Sequence, residues 1–214
     1  MQDCVEVTGI VLRAEPIGEF DKRVVILTKE RGKIAVFAKG ARRPNSRFMA
    51  PTSPFAFATF WLYEGRTSYN MKEVSVANYF ESLRQDFEGA YYGMYFLELC
   101  DYCTRENNDE KEILKLLYQS LRALSHNGIP KRLVKAVFEI KIVVLNGEFP
   151  GMPVGSFEDA TGYAVSFIVH TPMEKLYTFT VRDSVLEELE RIAKKIRKDC
   201  MPGRFKTLEI LESL

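Results

Sequence analysis

Lys22-Arg23-Val24-Val25-Ile26-Leu27-Thr28, Lys29-Glu30-Arg31-Gly32 and Lys33-Ile34-Ala35-Val36-Phe37-Ala38 read in succession as strand, turn and strand. Both apolar runs are short and rich in Val and Ile, as strands are, and Gly32 can take the positive φ that a tight hairpin turn needs. Before this hairpin, Val5, Val7, Gly9 and Val11 alternate with Glu6, Thr8 and Ile10, the period of a strand with one apolar side. After it comes a loop bearing Pro, Asn and Ser, from Gly40 to about Pro54. A strand over Phe55–Tyr63, a turn at Glu64-Gly65-Arg66 and a strand over Tyr69–Tyr79 follow. About five strands and one long loop in the first 81 residues predict a small closed barrel of OB type.

At about Ser82 the period changes to three and four residues. Helices are predicted over Leu83–Cys103, Asp109–Leu124, Lys131–Leu145 and Asp183 to about Lys198, with a last turn or two over Thr207–Leu214. His126-Asn127-Gly128 stops the second, Pro130 opens the third, and Asn146-Gly147 ends it. Residues 147–181 are rich in glycine and proline, with strand candidates at Tyr163–His170 and Leu176–Val181. The expected fold is therefore α+β. An OB barrel (1–81) precedes a mainly helical domain (82–214), which carries a small irregular or β insertion at about 147–181.

The chain has 214 residues, enough to bury a real core, and its net charge of +1 points to no partner by itself. The distribution is more telling: residues 22–47 hold nine basic residues and one acidic, Glu30. Such a window is either a solvated face or a local site for a polyanion. Phosphate contacts need long cationic donors, and the arginine fork matches phosphate oxygens two at a time. Lys39, Arg42, Arg43 and Arg47 in the loop have that chemistry, with Arg23, Arg31 and Lys33 on the hairpin. OB barrels add aromatic rings on which bases stack. Phe55, Phe57, Trp61 and Tyr63 share one face of a strand, and most of these rings are expected in the core. Phe48 and Tyr69, near turns, are the stacking candidates.

Other motifs are weaker. Cys100-Asp101-Tyr102-Cys103 lies late in a helical pattern, with no second pair at zinc-site spacing and only His126 and His170 as histidines. Structural thiols are the expectation, with a zinc or thiol-redox enzyme as the competing class. No nucleophile elbow, phosphate loop or dinucleotide fingerprint occurs, so the chain reads as a non-enzyme without cofactor. No apolar stretch approaches the roughly 20 residues of a membrane span, and no secretory leader is apparent. A cytoplasmic protein with reduced thiols is expected. The helix from Pro130 sets Lys131, Arg132, Lys135 and Lys141 around Leu133, Val134, Val137 and Phe138. That pattern fits an ordinary amphipathic helix, or a basic rim that receives an acidic-hydrophobic peptide.

The motifs Gly18-Glu19-Phe20-Asp21, Thr28-Lys29-Glu30-Arg31-Gly32, Ala38-Lys39-Gly40-Ala41-Arg42-Arg43, Ser46-Arg47 and Pro54-Phe55 resemble the N-terminal domain of the bacterial RecO family. Gly203-Arg204-Phe205-Lys206-Thr207-Leu208-Glu209-Ile210-Leu211 resembles that family's closing motif. The resemblance implies a DNA repair and recombination mediator of the RecF pathway. It would bind single- and double-stranded DNA, anneal strands, and with RecR help load RecA onto DNA coated by single-strand-binding protein. It also implies recognition of that protein's acidic, phenylalanine-ended tail, which the basic rim would suit. The competing reading is an adaptor whose barrel docks a partner such as RecR, with DNA contact secondary. Many family members carry a four-cysteine zinc module where this chain has residues 147–181. No cysteine occurs there, so no zinc is expected.

Overall fold

The computed structural model describes residues 4–66, 68–126 and 128–213. Asn127 in the predicted helix stop and Leu214 at the end of the last predicted helix lie outside the described residues. The chain divides into two compact units: Met1–Glu81 with Leu97–Leu114, and Ser82–Phe96 with Lys115–Leu214.

Five strands build the first unit: β1 (Cys4–Ile17), β2 (Asp21–Thr28), β3 (Gly32–Ala38), β4 (Phe57–Glu64) and β5 (Tyr69–Asn78). They close into a barrel in the order β1-β2-β3-β5-β4. The pairings are antiparallel apart from a short parallel seam, Val36↔Tyr69 and Phe37↔Asn70, where β3 meets β5. This is the OB barrel that the strand spacing predicts.

β1 carries the closure. It pairs with β4 over Cys4–Ile10 and with β2 over Gly9–Ile17, with a register shift between Val11 and Arg13 that lets it bend. Gly9 is paired on both sides, and a Cβ there would sit 2.2 Å from the Leu27 carbonyl oxygen. Only glycine permits that approach. Gly32 takes φ +63 in the β2–β3 turn, as its position requires.

The barrel is filled from alternate positions, among them Val7, Val24, Ile26, Val36, Phe60 and Leu62. Ile10, Leu12, Val25 and Leu27, on the other side of β1 and β2, are buried too. Segment 97–114 is fastened over that outer face. Arg13 Nε lies 2.8 Å and Lys33 Nζ 2.9 Å from the two carboxylate oxygens of Asp101. The Lys33 N–H donates to the Arg105 carbonyl and the Asn107 N–H to the Arg31 carbonyl, both at 3.0 Å.

The long β3–β4 connection is a plug. Successive tight turns bond Arg43 N–H to Gly40, Ser46 to Arg43 and Met49 to Ser46, each at 3.1 Å. Its apolar residues Ala41, Phe48, Phe55 and Ala56 are buried, while Lys39, Arg42, Arg43 and Arg47 face solvent. Its far end is tied to the bend in β1 by Phe55 N–H to Val11 (3.1 Å) and Val11 N–H to Ala56 (3.0 Å).

The helices are α1 (Glu81–Gln85), α2 (Phe87–Cys103), α3 (Lys111–Leu124), α4 (Lys131–Leu145), α5 (Asp159–His170), α6 (Asp183–Cys200) and α7 (Lys206–Leu211), with a 3-10 turn at Met173–Lys175. In the second unit α4 is the central rod. Every residue from Ala136 to Val143 is buried, Glu139 among them. Glu139 Oε1 accepts from the Tyr95 hydroxyl at 2.6 Å and faces Lys135 Nζ at 3.8 Å and Arg197 Nε at 3.9 Å. Burial pushes the Glu139 carboxyl above the ordinary range, and those cations and the Tyr95 hydroxyl hold it back. Phe138 stacks on Phe96 at 4.1 Å beside this cluster.

The insertion at 147–181 corrects the sequence reading: among the described residues it contains no strand. Tyr163–His170 belongs to α5, and Leu176–Val181 follows the 3-10 turn as irregular chain. Tyr163, Val165 and Phe167 also fit a strand's alternation. The buried set is instead Thr161, Ala164, Val165 and Ile168, spaced three and four apart, whereas Tyr163 is 77% exposed. Packing of one helical stripe decides between two periods that the sequence supports equally.

Gly9→Ala is expected to cost about 1–3 kcal/mol of unfolding free energy, read by urea denaturation, because the methyl meets backbone that cannot give way. A second expectation concerns pH. Because the Glu139 pKa is raised in the folded state, the stability its neutral form supplies is complete below the ordinary carboxylate range. It falls as pH rises through the raised value, by at most about 1.4 kcal/mol per pH unit. Glu139→Gln should flatten that fall in a series of unfolding curves across pH.

Candidate nucleic-acid interface

One corner of the barrel presents Lys39, Arg42 and Arg43, none of them paired with a carboxylate among the described residues. It is formed by the three-residue β1–β2 loop, Gly18-Glu19-Phe20, and the start of the plug. The Arg42 N–H donates to the Phe20 carbonyl at 2.8 Å, and Arg42 Nη1 to the Gly18 carbonyl at 3.2 Å. The Asp21 carboxylate accepts the Gly40 N–H at 2.7 Å. These bonds lock the two loops together. On that frame the Arg43 guanidinium lies 5.1 Å from the centre of the Phe20 ring, which is 37% exposed. Lys39 is exposed and has no partner among the described residues.

Lys22 pins the plug from below. Its ammonium donates to Thr52 Oγ1 at 3.0 Å and to the Met49 carbonyl at 3.3 Å. Burial lowers its pKa, and the neighbouring Arg42 charge adds to that. Arg47, an exposed residue further along the plug, lies with its guanidinium 4.8 Å over the Phe48 ring and donates to the Lys72 carbonyl at 2.7 Å.

The seven cations singled out in the sequence therefore separate. Lys39, Arg42 and Arg43 come together at the corner, and Arg47 lies on the same plug. Arg23 is shared with Glu15 at 3.7 Å, Arg31 with Glu64 at 3.7 Å, and Lys33 is committed to Asp101. A charge already paired has less to give a phosphate.

Three expectations are overturned. Phe48 (8% exposed) and Tyr69 (5%) are core residues and offer no ring face for stacking. Phe48 fills the plugged end, and Tyr69 sits at the β3–β5 seam, where closure buries it. Conversely Phe57, Trp61 and Tyr63 point outward from β4 and are half-exposed, because the narrow barrel takes Ala58, Phe60 and Leu62 instead. The Trp61 indole N–H donates to Glu6 at 2.9 Å.

The third correction is the basic rim of α4. Lys131 lies 2.8 Å from Asp86 and 2.9 Å from Glu88, Arg132 pairs with Glu190, and Lys135 faces Glu139. Lys141 is buried and donates to the Val169 and Thr171 carbonyls at 2.8 and 2.9 Å. The rim is neutralised inside its own unit, and the apolar residues between its cations are core.

Cys100 is buried and Cys103 half-buried. Burial pushes the Cys100 thiol far up and the Cys103 thiol to about 12, so both are protonated, unreactive thiols at neutral pH. Among the described residues, no group of three His, Cys, Asp or Glu side chains is placed to hold a metal.

Sequence reasoning passed over Phe20 as a site residue. Its signal was a large aromatic placed in a tight turn between two strands.

Fold and corner together define an OB-barrel protein with a rigid, cationic, ring-bearing surface. Comparison with known proteins gives the family. A model described as Recombination protein O N terminal matches residues 1–80, and one described as Recombination protein O C terminal matches residues 84–152. A DNA repair protein RecO from Acetivibrio thermocellus is 26% identical over 98% of this chain and 97% of its own length. One from Clostridium novyi is 24% identical over 96% and 93%, and one from Alkaliphilus metalliredigens is 34% identical over 68% and 59%. The chain belongs to the RecO family of DNA repair proteins. No helix among the described residues is long and apolar enough to cross a membrane.

Phe48→Ala is expected to lower the unfolding free energy by about 3–5 kcal/mol, the range for a buried Phe, in thermal or denaturant unfolding. Phe48→Leu, which keeps most of the apolar volume, should restore most of it.

Proposed function

We propose that this protein is a recombination mediator that binds single- and double-stranded DNA through the corner formed by Lys39, Arg42 and Arg43, with Arg47 extending the path along the plug. The observation that carries this reading is that these cations are presented outward on a hydrogen-bonded frame while Arg23, Arg31 and Lys33 of the same basic window are already paired. Family membership supports the further steps: annealing of complementary strands and, with RecR, loading of RecA onto DNA coated by single-strand-binding protein. Binding of that protein's tail rests on the family alone, since α4 offers no open basic rim. None of these steps makes or breaks a covalent bond, so the reading calls for no catalytic group and no cofactor.

The outward rings of β4 favour a protein partner as well. Aromatic side chains are enriched at protein interfaces, and Phe57, Trp61 and Tyr63 line one strand of the barrel away from its filled interior. RecR is the partner that the family suggests for this face.

The test is a salt titration of binding to an unlabelled-sequence single strand, such as an oligothymidine. Affinity should fall linearly on a log–log plot, because each neutralised phosphate releases condensed counterions. Replacing Lys39, Arg42 and Arg43 together by Ala should weaken binding and lower the slope by about one unit per lost contact. Replacing Lys131 and Arg132 should change neither. A triple variant with the unsubstituted protein's affinity and slope would refute the assignment.

A further inference from the structure

The corner holds one feature that phosphate contacts do not use. Phe20 closes the β1–β2 loop with its ring 37% exposed, and Ile17, on the other side of that loop, is 38% exposed. Exposure here is not slack. The loop's carbonyls accept from Arg42, and Asp21 accepts from Gly40, so the backbone under the ring is fixed. The Arg43 guanidinium lies over the ring, 5.1 Å from its centre, so ring and guanidinium form one stacked pair.

We infer that Phe20 and Arg43 form a stacking ledge for an unpaired nucleobase, which makes the corner favour single strands over duplex. The inference rests on the reading that DNA lies across this corner. Both partners suit the role. Every base has a π-face that can lie on a phenyl ring or a guanidinium plane, whatever its sequence. The position suits it too: the loop between the first two strands of an OB barrel is one of the places where such folds meet oligonucleotides. In this barrel the neighbouring β2–β3 outer face is partly closed, since Val25 and Leu27 are buried and Lys33 is held by Asp101. Lys39 and Arg42 stand beside the ring to take the phosphates of a strand whose base turns toward Phe20. A base inside a duplex is already stacked and paired, so it gains nothing from the ledge, and duplex binding draws on the cations alone.

The experiment compares oligothymidine and a duplex of equal length against the full chain and three substitutions. Phe20→Ala should weaken single-strand binding roughly tenfold, within the span measured for base–aromatic stacks, and leave duplex binding and both salt slopes unchanged. Phe20→Leu, which keeps apolar bulk without a π-face, should behave like Phe20→Ala. Phe20→Trp should restore affinity, and its fluorescence should be quenched by the single strand beyond any change in Trp61 seen in the unsubstituted protein. Equal losses for both DNAs, or no loss for either, would overturn the ledge while leaving the cationic site standing. Failure of the unsubstituted protein to bind either DNA would overturn the cationic site, and the ledge with it. Because the ring is exposed, all three variants are expected to fold, and unchanged unfolding midpoints check that.

Discussion

β1 is bonded along both edges, and the first unit depends on that. A five-stranded sheet closes only if one strand turns far enough to meet both of its neighbours. β1 does so by bending after Val11 and by having no side chain at Gly9, where the Leu27 carbonyl passes. Closure then creates an end that must be stopped. The 18 residues between β3 and β4 stop it with Ala41 and Phe48 pointing in, and they are held by bonds to the same bend in β1. A segment with its apolar side committed to a barrel end has only one side left for its charges. The outward position of Lys39, Arg42, Arg43 and Arg47 is thus a consequence of plugging the barrel.

The same closure explains why Lys33 of the basic window is unavailable. The outer face of β1–β3 carries Ile10, Leu12, Val25 and Leu27, too much apolar surface to leave in water. Burying four such side chains is worth on the order of several kcal/mol at about 25 cal/mol per Å². Segment 97–114 covers it and brings Asp101, which takes Arg13 and Lys33 together. Those cations anchor the cover. Lys39, Arg42 and Arg43, paired with no carboxylate among the described residues, keep their fields for a ligand, and a surface of unpaired like charge is what raises local polyanion concentration.

Much of this was legible in the sequence. The β2–β3 hairpin falls within one residue of its predicted bounds, and α4 matches at both ends, because β-branched runs with a glycine turn and a Pro-to-Asn-Gly helix leave few alternatives. What misled were segments with two workable patterns. Phe55–Tyr63 is apolar on both faces, so only the barrel's width decides that Phe60 goes in and Trp61 out. Tyr163–Ile168 fits a strand's period and a helix's. The α4 rim looked basic because its partners, Asp86, Glu88 and Glu190, lie more than 40 residues away in sequence. Charge pairing at that range cannot be read from a local pattern, and the same blindness made Lys33 look as free as Lys39.

The corner's rigidity bears on what kind of recognition it can perform. Ordering a loop on binding costs free energy that the contacts must offset, and hydrogen bonds already made in the free protein remove most of that cost. Arg42 spends its N–H and one guanidinium nitrogen on the β1–β2 loop, yet the rest of its fork and all of the Lys39 ammonium remain outward. Lysine and arginine placed this way meet phosphates, which carry no sequence. On the proposed reading, sequence indifference is built into the corner. A protein that acts wherever strands are exposed needs that indifference, and the one discrimination left to such a surface is whether the bases are free to turn outward.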